Sequence, residues 1–262
     1  MASLTAAAID SRTDSGAALI GYLTVGYPDL ETSIAAGKAL VGAGVDVIEL
    51  GLPYSDPGMD GPVIQHTGEV ALAGGTRTAH VLQAVEALAP LVPTLVMTYY
   101  NPVHRYGVHA FARDLAAAGG AGLITPDLIP DEAAEWIAAS TEYDLDRVFL
   151  VAPSSTGERL RLTAAACRGF VYAASTMGVT GERARVDDTA QRLVTRTRRA
   201  GGERVCVGLG VSKPEHAAEV GSYADGVIVG SALLHALGDG LTPMARLAED
   251  LATAAHTAKE RA

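Results

Sequence analysis

The chain has 262 residues, of which 48% are hydrophobic and 19% are charged, so intrinsic disorder is excluded and a sizeable core can form. The net charge of −10 argues against nucleic acid or an anionic membrane surface as the main partner. Two cysteines, Cys167 and Cys206, are too few for a disulfide framework, and no stretch has the pattern of a signal peptide or a membrane span. We therefore expect a soluble, cytoplasmic protein.

Short apolar runs of strand length alternate with segments of helical spacing along the whole chain. In chain order, the sequence predicts strands at residues 19–25, 45–50, 94–99, 122–125, 147–151, 169–174, 204–208 and 226–229. Helices are predicted at residues 30–42, 78–91, 108–118, 131–141 and 187–200, and Asp29 and Asp131 are candidate N-caps. This alternation indicates parallel strands joined by crossover helices.

The number of strand–helix units predicts the architecture. Eight such units in about 250 residues fit a closed (β/α)8 TIM barrel, although an open doubly wound sheet gives a similar alternation. No linker or composition shift divides the chain, so we predict one domain over residues 1–262, in which a short helix before about residue 17 covers the barrel bottom. In both folds, ligands bind at the carboxyl ends of the strands.

The second predicted strand carries a carboxylate towards that end. Because side chains alternate along a strand, Glu49 shares a face with Val47 and points into the barrel if Val47 does. Burial among apolar neighbours raises the pKa of a carboxyl group towards neutrality, which suits proton transfer. Asp60 lies in the following Pro- and Gly-rich loop, which can turn back over the mouth. Two facing carboxylates can divide acid, base and orienting roles. The structural alternative for Glu49 is a bond to the backbone or to a polar residue of a neighbouring strand, and Asp56, in the same loop before Pro57, has the alternative of capping a turn.

Glycine-rich segments follow the last three predicted strands. They are Gly-Val-Thr-Gly at 178–181, Gly-Leu-Gly at 208–210 and Val-Gly-Ser at 229–231. Exposed backbone amides and a helix N-terminus after Ser231 form an anion site, and phosphate sites recur at the last two βα loops of such barrels. Glycines also occur merely to make tight turns, but three adjacent segments favour a phosphate site.

Three tyrosines fall near the carboxyl ends of three different predicted strands. These residues are Tyr22, Tyr99 and Tyr172. Aromatic rings at such positions can enclose a flat apolar substrate, and core packing is the alternative for each residue. No metal-ligand cluster, P-loop, nucleophile elbow or Cys-x-x-Cys pair occurs in the sequence, so we expect no metal and no cofactor in this chain.

Residues 48–57, Ile-Glu-Leu-Gly-Leu-Pro-Tyr-Ser-Asp-Pro, and 60–65, Asp-Gly-Pro-Val-Ile-Gln, resemble the signature of the tryptophan synthase alpha chain family. Segments 22–26, 97–102, 126–128, 178–181, 208–211 and 230–232 resemble the same family in the expected order. The resemblance implies a TIM-barrel lyase of tryptophan biosynthesis that cleaves indole-3-glycerol phosphate to indole and glyceraldehyde 3-phosphate, without metal or cofactor. It also implies a beta-chain partner, in an assembly of two alpha and two beta chains, that holds pyridoxal phosphate and receives indole.

The resemblance also implies residue roles by motif position. Glu49 matches the acid–base residue and Asp60 matches the carboxylate that holds the indole N–H. The substrate contacts are Tyr22, Tyr99, Tyr172 and Thr180, and the phosphate-binding residues are Gly181, Gly210, Gly230 and Ser231. The residues expected at the partner interface are Asp56, Asp127 and Ile129. The chain departs from the commonest family pattern at Tyr27, at Ile129 and at the pair Thr-Met at 176–177.

Three other functions are compatible with parts of this sequence. One is a stand-alone lyase that releases indole from the same site without a beta chain. A second is a non-catalytic subunit that only activates a beta chain, against which the presence of both Glu49 and Asp60 argues. A third is a different phosphosugar barrel, such as an isomerase, which would not require the loop at residues 54–65 in this form.

Overall fold

The computed structural model describes residues 2–174, 188–208 and 210–260. Eight parallel strands of the described chain form a closed barrel in sequence order, with the last strand paired to the first. The strands are β1 (Ala18–Thr24), β2 (Val47–Gly51), β3 (Thr94–Met97), β4 (Gly122–Thr125), β5 (Asp146–Val151), β6 (Val171–Ala174), β7 (Val205–Gly208) and β8 (Gly226–Val229). The closed order confirms the TIM-barrel prediction and excludes the open doubly wound sheet.

Helices surround the barrel and connect successive strands. Those in the described residues are α1 (Leu4–Asp10), α2 (Leu30–Gly42), α3 (Pro62–Ala73), α4 (Thr78–Leu88), α5 (Tyr100–Tyr106), α6 (Val108–Ala117), α7 (Ala134–Glu142), α8 (Gly157–Ala166), α9 (Asp188–Arg199), α10 (Pro214–Gly221), α11 (Ser231–Gly238) and α12 (Leu241–His256). Short 3-10 turns lie at Pro130–Glu132 and Ala258–Glu260. In the described part of the chain, no helix is both long enough and apolar enough to span a bilayer.

Of the two residues predicted as N-caps, one caps a helix in the structure and the other does not. The Asp29 carboxylate accepts a hydrogen bond from the Thr32 N–H at 2.7 Å and caps α2, as predicted. The prediction for Asp131 is wrong, because Asp131 lies in the 3-10 turn and its carboxylate pairs with Arg159. Helix α7 begins three residues later, at Ala134, without a side-chain cap.

Strands β1, β2, β4 and β8 are buried on both faces, as parallel barrel strands are when helices cover their outer surface. On β2, Val47 belongs to the apolar cluster inside the barrel, whereas Ile48 and Leu50 belong to the cluster packed against the helices. Val47 therefore points inwards, and the alternation carries the side chain of Glu49 inwards as well.

Helix α1 closes the N-terminal end of the barrel. Ile9 is fully buried in the interior apolar cluster. The Thr5 hydroxyl donates to the carboxylate of Asp146, the first residue of β5, and Arg204, just before β7, pairs with Asp10 at 2.7 Å. These contacts confirm that a short N-terminal helix covers the barrel bottom and leave the carboxyl end as the open end.

Candidate active site

A cavity opens at the carboxyl ends of the strands. The described residues that line it include both predicted catalytic carboxylates, the three predicted aromatic residues and three of the predicted phosphate-binding residues: Glu49, Asp60, Tyr22, Tyr99, Tyr172, Gly210, Gly230 and Ser231. The barrel therefore brings these eight residues together in one pocket. Thr180 and Gly181 lie outside the described residues.

Glu49 lies at the inner end of this cavity and is fully buried. Neither of its carboxyl oxygens has a hydrogen-bond partner among the described residues, and no lysine or arginine is among the described residues that line the cavity. Because burial disfavours the charged form and nothing described here compensates it, the pKa of Glu49 is raised from 4.5 to about 8. The prediction of an inward-facing glutamate with a raised pKa is confirmed.

Asp60 reaches the same cavity from the loop that follows β2. Burial raises the pKa of Asp60, and a hydrogen bond from the Tyr99 hydroxyl opposes that rise. The loop is held on both sides of this residue. The Met59 N–H donates to the Tyr99 hydroxyl at 2.8 Å, and the Gln65 amide donates to the Asp60 carbonyl at 2.8 Å. The backbone on which Asp60 sits is therefore fixed by residues of two separate segments.

Tyr99 does not lie on a strand, contrary to the sequence prediction. Strand β3 ends at Met97, and Tyr99 is the N-cap residue of α5, with an extended backbone. From this position its hydroxyl reaches the Asp60 loop, and its ring packs against the Tyr54 ring with centroids 5.3 Å apart. The residue borders the cavity and also holds one of its walls.

Tyr22 and Tyr172 do lie on strands, and each ring crosses over a glycine of the next strand. A Cβ atom on Gly51 would lie 2.0 Å from the Tyr22 hydroxyl oxygen, and one on Gly208 would lie 2.2 Å from the Tyr172 hydroxyl oxygen. Burial raises the pKa of both tyrosines, so both hydroxyls stay protonated at neutral pH. Tyr22 is paired in register with Glu49, which places an aromatic ring beside the buried carboxyl group.

Glycines and a helix N-terminus form the side of the cavity near β7 and β8. Gly210 has a φ of +52°, a conformation that favours glycine, and Gly230 is the N-cap residue of α11, which begins at Ser231. The free N–H groups and dipole at a helix N-terminus favour anions. A Cβ atom on Gly230 would lie 3.4 Å from the Tyr22 side chain, so this backbone approaches the aromatic wall closely.

The three residues expected at a partner interface lie in loops at the same end of the barrel. Asp56 and Asp127 are exposed, and the apolar side chain of Ile129 is 41% exposed. The Asp127 carboxylate also accepts a hydrogen bond from the Tyr100 N–H at 2.9 Å and so links the loop after β4 to the start of α5.

Several apolar residues of the cavity were not predicted. Ile228 belongs to the interior cluster and Met97 packs against it, and Ile64 lines the cavity from the first turn of α3. The inward face of β8 could have indicated Ile228, because Gly226 and Ile228 share one face of the strand. Among the residues that the structure describes, no three His, Cys, Asp or Glu side chains form a group that could hold a metal ion.

Comparison with known proteins identifies the family of this chain. A family model described as tryptophan synthase alpha chain matches residues 9–262. The chain belongs to this family. It is 62% identical to the tryptophan synthase alpha chain of Mycobacterium marinum over 242 residues, which cover 92% of this chain and 90% of the relative. It is 63% identical to that of Mycobacterium avium over 243 residues, with the same shares covered.

Solved structures of the same family have the same fold. The structure of Mycobacterium tuberculosis tryptophan synthase matches 98% of this chain and 99% of its own chain, with a TM-score of 0.94 and 58% identity. A structure of the tryptophan synthase a2b2 complex from Pyrococcus furiosus matches 90% of this chain and 97% of its own, with a TM-score of 0.83 and 36% identity. Members of the tryptophan synthase alpha chain family therefore keep this barrel over a wide range of sequence identity.

Proposed function

We propose that this chain is the alpha subunit that cleaves indole-3-glycerol phosphate to indole and glyceraldehyde 3-phosphate in tryptophan biosynthesis, with Glu49 and Asp60 as its catalytic residues. The proposal is carried by one observation. A fully buried glutamate without a described hydrogen-bond partner faces a cavity that it shares with a second carboxylate, aromatic walls and a glycine-rich helix N-terminus. That combination suits a flat ring with a short phosphorylated tail.

Glu49 carries the proton transfers in this proposal. With a pKa of about 8, it enters the reaction protonated at neutral pH and gives its proton to C3 of the indole ring. The resulting carboxylate takes the proton of the hydroxyl group on the attached glycerol carbon. The bond between that carbon and C3 then breaks, its electron pair returns to the ring, and the carbon becomes the aldehyde. Glu49 is protonated again at the end, so the cleavage needs no external acid or base.

Asp60 stabilises the charge that develops during this step. Protonation of C3 places positive charge on the indole nitrogen, and a carboxylate beside the N–H favours that charge more strongly than the neutral ground state. This role requires Asp60 to be ionised. The hydrogen bond from Tyr99 favours the ionised form, whereas burial disfavours it.

The remaining cavity residues bind and orient the substrate. We assign the flanks of the ring to Tyr22, Tyr99 and Tyr172, and the phosphate to the backbone amides of Gly210, Gly230 and Ser231. Contacts to a phosphate group remote from the breaking bond supply binding energy that holds the ring in place. By the family resemblance, Thr180 and Gly181 belong to the same substrate and phosphate contacts.

We further propose that the chain works in the cytoplasm with a beta chain, in an assembly of two alpha and two beta chains. The a2b2 complex of Pyrococcus furiosus supports this assembly. The exposed side chains of Asp56, Asp127 and Ile129 are assigned to the interface, and pyridoxal phosphate to the beta chain. The steps assigned to this chain are proton transfers and charge stabilisation by its own side chains, so they call for no cofactor.

A substitution at Glu49 tests the proposed function. Glu49→Gln keeps the shape of the side chain but can neither donate the carboxylic proton nor act as the base, and general acid–base catalysis contributes about 10²- to 10⁴-fold. We expect indole release to fall by at least about 10²-fold, with substrate affinity retained in an equilibrium binding measurement. Glu219→Gln, at an exposed position on α10, is the matched control and should not change the rate. Near-normal turnover of Glu49→Gln would contradict the proposal.

A further inference from the structure

A buried pair of hydroxyl groups joins β1 to α3 at the open end of the barrel. Thr24 is the last residue of β1 and is 2% exposed, and Thr67 lies in the middle of α3 and is 1% exposed. Their Oγ1 atoms are 2.8 Å apart. Neither residue has a role in the family resemblance or in the mechanism above.

The direction of this hydrogen bond follows from a second hydrogen bond of Thr67, to the carbonyl oxygen of Ile64. The Thr67 hydroxyl donates to the carbonyl oxygen of Ile64 at 3.0 Å, and a carbonyl oxygen can only accept. A hydroxyl group has one hydrogen, so Thr67 can only accept from its other partner. Thr24 is therefore the donor to Thr67. Since both side chains are buried, loss of either hydroxyl leaves a desolvated polar group without its partner.

The same helix also holds the backbone of Asp60. Helix α3 begins at Pro62, two residues after Asp60, and the Gln65 side chain on its first turn donates to the Asp60 carbonyl oxygen. Ile64, whose carbonyl accepts from Thr67, lines the cavity. The position of α3 against β1 therefore sets the position of Asp60 relative to the strand that carries Tyr22.

We propose that Thr67 is a positioning residue for the cleavage reaction: by accepting from Thr24 and donating to Ile64, it fixes α3 and, through the Gln65 contact with the Asp60 carbonyl, the backbone that carries the Asp60 carboxylate. The inference rests on the proposed role of Asp60. Because the contact of Asp60 with the indole nitrogen strengthens as positive charge develops, misplacement of Asp60 lowers kcat while KM changes little. A misplacement of about 1 Å can cost about 10²-fold in rate.

Three threonine variants of the full chain test the proposal with indole-3-glycerol phosphate as substrate. Thr67→Val removes the hydroxyl at nearly constant volume, and we expect kcat to fall by about 10-fold or more with KM within about 2-fold of wild type. Thr67→Ser restores the hydroxyl and is expected to return kcat to within about 2-fold. Thr197→Val is the matched control, because Thr197 is a fully buried threonine on α9 whose hydroxyl has no partner among the described residues.

A merely structural role for Thr67 predicts a different result. In that case Thr67→Val lowers the midpoint of thermal unfolding but leaves kcat at 25 °C unchanged, and this result overturns the proposal. If Thr67→Val does not fold, Thr24→Val removes the donor of the same hydrogen bond and is expected to lower kcat as well. Because Thr24 also hydrogen-bonds the Tyr22 side chain, KM is measured beside kcat in this variant. An unchanged kcat in Thr24→Val then overturns the proposal in the same way.

A double-variant cycle separates this inference from the proposed function. If Thr67 acts through Asp60, Thr67→Val adds no further loss of kcat to an Asp60→Asn chain. If the two losses multiply, Thr67 does not act through Asp60 and only the inference fails. If Asp60→Asn alone retains wild-type turnover, the proposed catalytic role of Asp60 fails, and the inference that rests on it fails as well.

Discussion

The Glu49 carboxyl group receives no hydrogen bond from any described residue, and this sets its charge. An ionised carboxylate in such a place would lose its hydration without gaining a donor or a cation in return. The pKa of the group is therefore raised to about 8, so that most of it is protonated at neutral pH. The surroundings of Glu49 thus hold it in the acid form that the first step requires.

This proton affinity makes the stability of the chain depend on pH. The folded state keeps a proton on Glu49 that the unfolded chain releases above a pKa of 4.5, so the free energy of unfolding falls as pH rises from 4.5 to about 8. The contribution is fully present below 4.5 and is lost by about pH 8, at up to about 1.4 kcal/mol per pH unit. Glu49→Gln has no such proton to release. We expect the free energy of unfolding of Glu49→Gln, relative to that of wild type, to increase between about pH 5 and pH 8 when both are measured by urea unfolding.

The control for this pH dependence is the exposed Glu219 on α10. Replacement by glutamine at that position removes a carboxyl group that stays in contact with water when the chain folds. The difference in free energy of unfolding between Glu219→Gln and wild type should stay constant over the same pH range. An equally constant difference for Glu49→Gln would show that the buried carboxyl group is ionised in the folded state.

The Tyr99 hydroxyl should control the ionisation of Asp60. Tyr99→Phe removes the hydrogen bond that lowers the pKa of Asp60, so that the effect of burial remains unopposed and the pKa rises further. Because Asp60 acts as a carboxylate, activity is present above its pKa and is lost as pH falls through it. We expect the acid limb of the kcat/KM profile to move to higher pH in Tyr99→Phe.

Tyr54→Phe is the control for the Tyr99 variant. The Tyr54 ring packs against the Tyr99 ring, but its hydroxyl accepts from Asn101 and makes no described contact with Asp60. Its pH profile should therefore match that of the wild type. If the profiles of Tyr99→Phe and wild type superimpose, Tyr99 does not set the charge of Asp60.

Among the elements, the contact between β4 and β5 depends on a glycine. A Cβ atom on Gly122 would lie 2.2 Å from the carbonyl oxygen of Asp146, and main-chain atoms of a paired strand cannot move aside as a flexible side chain can. We expect Gly122→Ala to lower the free energy of unfolding by about 3 kcal/mol, the upper end of the range for overpacking. Urea unfolding at fixed pH measures this change.

A glycine-to-alanine substitution in α3 should have the opposite effect on the free energy of unfolding. Gly68 lies inside this helix, and apart from the adjoining residues and the helix's own backbone no atom lies within 4 Å of the position of a new Cβ atom. Alanine is favoured over glycine in helix interiors by about 1 kcal/mol, so Gly68→Ala should stabilise the chain. If the two substitutions change the free energy of unfolding equally, the close approach of β4 and β5 at Gly122 does not exclude a Cβ atom there.

The elements were predictable from the sequence where local pattern and packing agree. The bounds of β4, β8 and α2 were predicted as observed, because apolar runs and helical periods end there at clear turn signals. The prediction extended β3 to Tyr99, whereas the strand ends at Met97 and Tyr99 occupies the N-cap position of α5, from which its hydroxyl reaches the Asp60 loop. Contacts between distant segments decide such boundaries, and one local pattern does not contain them.

The candidate site was predictable to a similar extent. Alternation on β2 was sufficient to place Glu49, and the glycine segments indicated Gly210, Gly230 and Ser231. The alternation of side chains along a strand could not indicate the hydroxyl pair of Thr24 and Thr67, because these residues are 43 positions apart and meet only in the folded barrel. The site roles themselves follow from the family resemblance and from chemistry, and they stay predictions.

At the scale of the whole molecule, one end of the barrel is closed and the other holds the cavity. Helix α1 closes the N-terminal end by burying Ile9 inside the barrel. The carboxyl end holds the cavity, and the loops around it expose Ile129 beside Asp127. A partner that receives a small apolar product must dock where that product leaves, which favours the carboxyl end as the interface with a beta chain.

The position of Ile129 gives a test of this docking surface. A charge at the centre of an interface is costly to desolvate, and the loss of one important apolar contact weakens binding by at least about 1 kcal/mol, or roughly fivefold. We therefore expect Ile129→Asp to weaken the affinity for the beta chain, measured by titrating the beta chain and following the rate of indole formation. Leu91→Asp is the control, because Leu91 is 53% exposed but lies between α4 and β3, at the closed end. If Leu91→Asp weakens the affinity and Ile129→Asp does not, the beta chain docks at the end covered by α1, and indole would have to leave on the side away from its acceptor.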